Sequence, residues 1–247
     1  MTVQRYILAL DQGTTSSRAI VFDQAGQAVS MAQAATTQYF PQAGWVNQDA
    51  GEIWRTQLVT ARDALAQANL ASEQIAGIGI TNQRETLVVW ERASGAPVHP
   101  AIVWQSRQSA PQVAALEARG MGPTYTTTTG LVPDAYFTAT KLAWLLEEQP
   151  GLRARAEAGE LLAGTIDSWL IWNLTAGARH ITDVTNASRT MLLDLESRRW
   201  SPELLGDLAI PAHMLPDVVP SSGQLAATTG EIFGAEIPVT GIAGDQQ

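Results

Sequence analysis

"LALDQGTTSSRAIVFD" (residues 8–23) places two apolar runs on either side of Asp-Gln-Gly-Thr-Thr-Ser-Ser-Arg. Each run is the length of a short strand, and the small residues between them mark a tight turn. Asp11 falls at the carboxyl end of the first strand, where α/β proteins place their ligands. Gly13 permits close backbone approach, and Thr14, Thr15, Ser16 and Ser17 supply hydroxyls and amides. Successive amides in a turn form an anion-binding concavity. Arg18 adds a fixed positive charge suited to phosphate oxygens. Asp11 suits Mg²⁺ held through water, since that ion keeps part of its hydration shell. Gly, Thr and Ser are also ordinary turn residues, so a plain hairpin with a polar tip is the competing reading.

Composition narrows what such a loop could serve. The 247 residues are 45% hydrophobic and 16% charged, as in globular proteins, with a formal net charge of −9. No basic cluster is evident that would neutralise a nucleic-acid backbone, so no nucleic-acid partner is expected. The single lysine, Lys141, follows Phe-Thr-Ala-Thr, which excludes a GxxxxGK nucleotide loop. Cysteine is absent, which removes disulfides and thiolate metal sites. No secretory signal and no membrane-length apolar run are present, and the chain is expected to be cytoplasmic.

Outward from the opening loop, residues 5–11, 17–23 and 27–35 read as three strands in a meander. Residues 52–68 follow helical spacing, with Ile53, Trp54, Leu58, Ala61 and Leu65 along one side. "IAGIGIT" (75–81) reads as a buried strand, "TLVVW" (86–90) as its partner and "AIVW" (101–104) as another. Helices are predicted over 106–119, 139–148 and 160–174, and a final strand at "IPVTG" (237–241). Strands first as a meander, then alternating with helices, predict one α/β domain with a mixed central sheet flanked by helices.

Chemistry recurs at the ends of the later strands. In "GITNQRETLVVW" (79–90), Arg84 offers a planar donor fork and Glu85 two acceptor oxygens, a pair able to grip adjacent hydroxyls of a polyol. An exposed ion pair in a turn is the plainer reading. Trp104 ends another strand and could pack against a polyol's carbon side or simply fill core. Tyr136 could cap a ligand or close an internal hydrogen bond. Asp245, followed by Gln246, could act as general base on a hydroxyl attacking a γ-phosphate, or serve as a helix N-cap.

Taken together, "YILALDQGTTSSRAIVFD" (6–23), "GWVNQDAGEIW" (44–54), "GIGITNQRET" (77–86), "AIVWQ" (101–105), "GELLAGTIDSWLIW" (159–172), "TDVTNASRTML" (182–192) and "GIAGDQQ" (241–247) resemble, in order and spacing, the glycerol kinases of the FGGY carbohydrate kinase family. The opening loop also resembles that of the wider sugar kinase, Hsp70 and actin superfamily, in which it joins two strands. The resemblance implies an actin/hexokinase-like (ribonuclease H-like) fold. It also implies transfer of the γ-phosphate of MgATP to glycerol, giving sn-glycerol 3-phosphate. By the same resemblance, Arg84, Glu85, Tyr136, Asp245 and Gln246 bind glycerol's hydroxyls and Trp104 lines its carbon side. Asp245 is the base, Thr14, Thr15, Ser16 and Arg18 contact nucleotide phosphates, and Asp11 organises Mg²⁺. The full-length protein is expected to be a homo-oligomer.

Some positions depart from the family pattern. Trp104-Gln-Ser-Arg-Gln-Ser stands where a more basic WQCRRT is usual, and Asp134-Ala-Tyr-Phe where Asp-Pro-Tyr-Phe is common. "TTGEIFGAEIPVTG" (228–241) holds two glutamates and neither a basic residue nor a histidine. Regulation by fructose 1,6-bisphosphate or by histidine phosphorylation there is therefore not expected. Residues 1–247 are expected to be the amino-terminal, polyol-binding half, with the adenosine pocket in a carboxyl-terminal domain that this chain lacks and little turnover without it. The alternatives are another FGGY polyol or ketose kinase, or a stand-alone polyol-binding module.

Overall fold

The structure, a computed structural model, describes residues 5–247. Six strands form its main sheet: β1 (Tyr6–Gln12), β2 (Ser16–Phe22), β3 (Ala28–Ala35), β4 (Ile75–Asn82), β5 (Ser222–Ala227) and β6 (Pro238–Gly244). Their order is β5-β6-β4-β1-β2-β3. β1, β4 and β6 run parallel, while the β1-β2-β3 meander and β5 are antiparallel to their neighbours. Period-two alternation turns Leu8, Leu10, Ala19, Val21, Ile78 and Ile80 to one buried face. Helix α1 (Ala50–Gln67) covers that face with Ile53, Ala61, Ala64 and Leu65. Asp49 starts α1 by accepting from the Gly51 amide at 2.7 Å, an N-cap that satisfies one orphan donor.

Three differences from the sequence reading matter. "TLVVW" does not pair with β4; Val88–Glu91 pairs antiparallel with Leu161–Gly164. The predicted helix 160–174 therefore begins with a strand, and the helix itself spans Ile166–Leu174. Gly164 makes the switch possible, because a Cβ there would stand 2.5 Å from Ser168 Cβ. This two-stranded ribbon divides the interior: Val88, Trp90 and Leu162 join the core under the main sheet, while Val89, Leu161 and Ala163 join a second core. That second core centres on the helix Thr138–Glu148, with Leu142, Trp144 and Leu145 buried. The helix predicted over 106–119 is shorter, Ala110–Ala118, because residues 103–109 form turns.

Candidate active site

Register brings the predicted segments together. Asp11 and Gln12 pair with Thr81 and Asn82, and Gly244 pairs with Asn82, so three parallel strands end side by side. The Gln83 amide donates to the Gln12 carbonyl (2.7 Å) and the Asp245 amide to the Asn82 carbonyl (3.0 Å), fixing the residues just beyond each strand. Thr14, Arg84, Glu85, Trp104, Tyr136, Asp245 and Gln246 line one cleft of about 290 Å³ at this edge. Asp11, Thr15, Ser16 and Arg18 lie outside that lining, on the neighbouring hairpin.

The hairpin is both a hairpin and a donor surface. Its carbonyls are occupied from inside: Gln48 Nε2 donates to Thr14 O (2.7 Å), the Thr36 amide to Thr15 O (3.0 Å) and the Gly13 amide to Ser16 O (2.9 Å). The Thr14 and Thr15 amides donate to no group among the described residues. Ser17 does not belong to this surface, being buried and bonded to Gln12 Oε1 and Thr56 Oγ1 at 2.7 Å each. Arg18 stands 3.6 Å from Asp11, both half-exposed.

The cleft floor is charged and buried. Glu85 is 1% exposed and accepts from Arg189 Nε at 2.8 Å. Burial raises its pKa above the usual carboxylate range, against the pull of Arg189 and Arg84. Its φ of 61° is a left-handed conformation rare for a non-glycine residue. Lys141, fully buried, donates to the Glu85 carbonyl (3.1 Å) and to the Tyr136 carbonyl. It thereby clamps two neighbouring site segments, and burial pushes its ammonium down to about 7.

Arg84 crosses above Gly244, where a Cβ would stand 2.5 Å from Arg84 Cδ. Its Nε lies 3.9 Å from Glu85 Oε1 and 3.7 Å from Asp245 Oδ1, and that buried atom makes no hydrogen bond among the described residues. Burial raises the pKa of Asp245, with Arg84 lowering it and Asp11 raising it. Burial likewise raises the Tyr136 phenol, and the Glu85 charge adds to the effect. Trp104 faces Tyr136 at 5.4 Å between ring centroids, and its indole Nε1 donates to Thr14 Oγ1 at 2.9 Å.

Behind the cleft stands the segment 183–189. Asp183 accepts from the Thr185 and Asn186 amides, Thr185 Oγ1 accepts from the Gly244 amide (2.9 Å), and Asn186 exchanges side-chain hydrogen bonds with Asn82 (2.9 and 3.2 Å). Sequence reasoning quoted this segment for its family resemblance yet gave none of its residues a role. Lys141, the sole lysine, was likewise given no role, because it sits inside the apolar helix Thr138–Glu148.

Asp11 and Asp245 suit Mg²⁺, a hard ion usually held by one or two carboxylates together with substrate phosphates. Their mutual repulsion is already felt in the raised pKa of Asp245. No cluster of three or more His, Cys, Asp or Glu occurs among the described residues, so a cage built wholly from such side chains is not on offer.

Such a sheet, with a strand–turn–strand loop and a polar cleft at its carboxyl edge, defines an actin/hexokinase-like domain. The family model for the FGGY family of carbohydrate kinases, N-terminal domain, matches residues 6–247, and the chain belongs to that family. Glycerol kinases of Albidiferax ferrireducens and Halorhodospira halophila are each 56% identical to it, over 98% and 99% of this chain. Those matches cover 49% and 48% of the relatives, so the chain spans about half the length of the curated relatives it matches. Plasmodium falciparum glycerol kinase with ADP superposes with a TM-score of 0.93 at 30% identity, covering 98% of this chain and 49% of that one. A xylulose kinase from Brucella ovis gives 0.87 at 26% identity, covering 98% of this chain and 49% of that one.

Proposed function

We propose that residues 1–247 form the polyol-side half of a kinase that phosphorylates glycerol to sn-glycerol 3-phosphate using MgATP. The observation that carries this reading is the cleft itself: a buried carboxylate, a donor fork with an unpartnered Nε, and a tryptophan wall beside a turn whose Thr14 and Thr15 amides have no partner among the described residues. Arg84 and Glu85 grip adjacent hydroxyls, Trp104 covers the carbon side, and Tyr136 and Gln246 complete the rim. Asp245 takes the proton of the terminal hydroxyl as that oxygen attacks the γ-phosphorus and ADP departs. Burial and the Asp11 charge raise its pKa above that of an ordinary aspartate, which makes it the stronger base. Thr14, Thr15, Ser16 and Arg18 steady the phosphates. Magnesium, when bound near Asp11, neutralises phosphate charge. Adenosine is held by a further domain of the longer protein, which is a cytoplasmic homo-oligomer, and the 247 residues alone turn over little.

Steady-state kinetics of the full-length protein test this. Asp245→Asn is expected to lower kcat on glycerol by about 10²–10⁴-fold with KM little changed, the range for loss of a general base. Retention of wild-type kcat would overturn the assignment. A higher kcat/KM on xylulose or erythritol than on glycerol would transfer it to another member of the family.

A further inference from the structure

Away from the cleft, a cavity of about 570 Å³ opens between the hairpin Leu193–Trp200 and the segments 178–181 and 212–218. Arg92, Arg179, Arg198 and Arg199 all line it, with His180 and His213, and Asp217 is its one acidic residue. In a chain of net charge −9 this is an inverted patch. Most arginines elsewhere pair with a carboxylate, as Arg107, Arg119 and Arg189 do, or grip a backbone carbonyl, as Arg62 and Arg153 do. Among the described residues the guanidinium groups of Arg179, Arg198 and Arg199 do neither, and all three converge here.

The walls are held in place. Arg92 is fixed by its own bonds to the Gly159 and His213 carbonyls, at 2.9 Å each. Trp200 Nε1 donates to the Pro216 carbonyl at 2.8 Å, tying the hairpin to the opposite wall. Arg198 sits at φ 54°, a left-handed turn conformation with its amide bonded to the Asp194 carbonyl at 2.8 Å, which puts two consecutive arginines on the rim. Four cations mutually within one cavity repel each other, and an occupant with several negative charges relieves that cost. Guanidinium groups recognise phosphate oxygens through paired N–H donors and lose less hydration than ammonium groups would.

We propose that this cavity binds a small, multiply charged phosphate anion, at a site separate from the phosphorylation cleft. The shared chemistry covers a free polyphosphate and a phosphate ester of a small metabolite. The apolar part of the wall, Trp200, Leu215 and Pro216, suits the carbon portion of the second.

Isothermal titration of the full-length protein with tripolyphosphate, and separately with glucose 6-phosphate, tests the site. Both titrations use an Arg18→Glu background, which disables the phosphate loop of the proposed kinase cleft. One saturable site is expected to remain for at least one of the two probes. Adding Arg198→Glu and Arg199→Glu is expected to weaken it at least tenfold with an unchanged melting temperature, whereas Arg153→Glu, outside the cavity lining, leaves it intact. Tighter binding of tripolyphosphate points to a free polyphosphate, and tighter binding of the sugar phosphate to an ester. The inference fails if no saturable binding survives Arg18→Glu, if charge reversal at 198 and 199 has no effect, or if Arg153→Glu weakens binding equally. None of these outcomes depends on whether glycerol is the acceptor.

Discussion

The cleft floor and the opening hairpin face the same space but are built in opposite ways. Around Glu85 the charges are buried and mutually supported: Arg189 holds the carboxylate, Lys141 holds the backbone behind it, and the Asn82–Asn186 pair locks the strand end. On the hairpin, Asp11, Thr15 and Arg18 are exposed or half-exposed, and the one ion pair is loose at 3.6 Å. A buried ion pair is costly to break from one side, whereas an exposed one contributes little. The cleft floor is therefore preorganised within these residues, and the hairpin leaves its donors free for a ligand.

Four substitutions probe this contrast, beginning with the largest expected effect. Arg189→Met strands the Glu85 carboxylate in a buried site and is expected to cost about 3–5 kcal/mol by chemical denaturation. A loss below about 1 kcal/mol would mean that the floor is not held by this pair. Gly244→Ala drives a methyl into Arg84 Cδ and Cγ, at 2.5 and 2.7 Å, without touching the core. The KM for glycerol in the full-length protein is expected to rise at least tenfold while the melting temperature holds; an unchanged KM would free Arg84 from its role.

Asp167 refines the comparison, because it is a fully buried carboxylate held by hydroxyls and the Ser168 amide, with no cationic partner among the described residues. Thr165 and Thr182 donate to it at 2.5 and 2.7 Å, yet burial still pushes its pKa up to about 6. Its folded pKa lies above the unfolded value, so the contribution is fully present below about pH 4 and is lost as pH rises through about 6. Asp167→Asn is expected to flatten the stability–pH curve between those limits, and denaturation at pH 4, 5, 6 and 7 would reveal an unchanged slope. Last, Arg18→Ala is expected to alter stability by less than about 1 kcal/mol and to raise the KM for ATP, leaving that for glycerol alone. A larger loss of stability would show that the hairpin is structural after all.

The contrast also explains what could be read from the sequence. The hairpin was legible because its chemistry is local: aspartate, glycine and hydroxyls occupy consecutive positions, and the flanking apolar alternation fixes both strands. Arg84, Glu85 and Asp245 were legible because each directly follows an apolar strand run. The partners that make Glu85 tolerable were not. Arg189 lies 104 residues further along the chain and Lys141 sits inside an apolar helix, so neither carries a local signature. The strand at Leu161–Gly164 was hidden for a related reason: it runs into an apolar helix with only Thr165 between, and periodicity cannot separate two consecutive buried elements.

The Trp104–Thr14 hydrogen bond joins the two regions. By accepting the indole proton, the Thr14 hydroxyl loses much of its rotational freedom and becomes polarised, which strengthens its own proton as a donor. A ligand packed on the Trp104 ring would thus touch the same group that starts the opening turn. Through one indole N–H, occupancy beside Trp104 can be sensed at the first hydroxyl of the turn, which makes that N–H resonance a natural reporter of communication between the two regions.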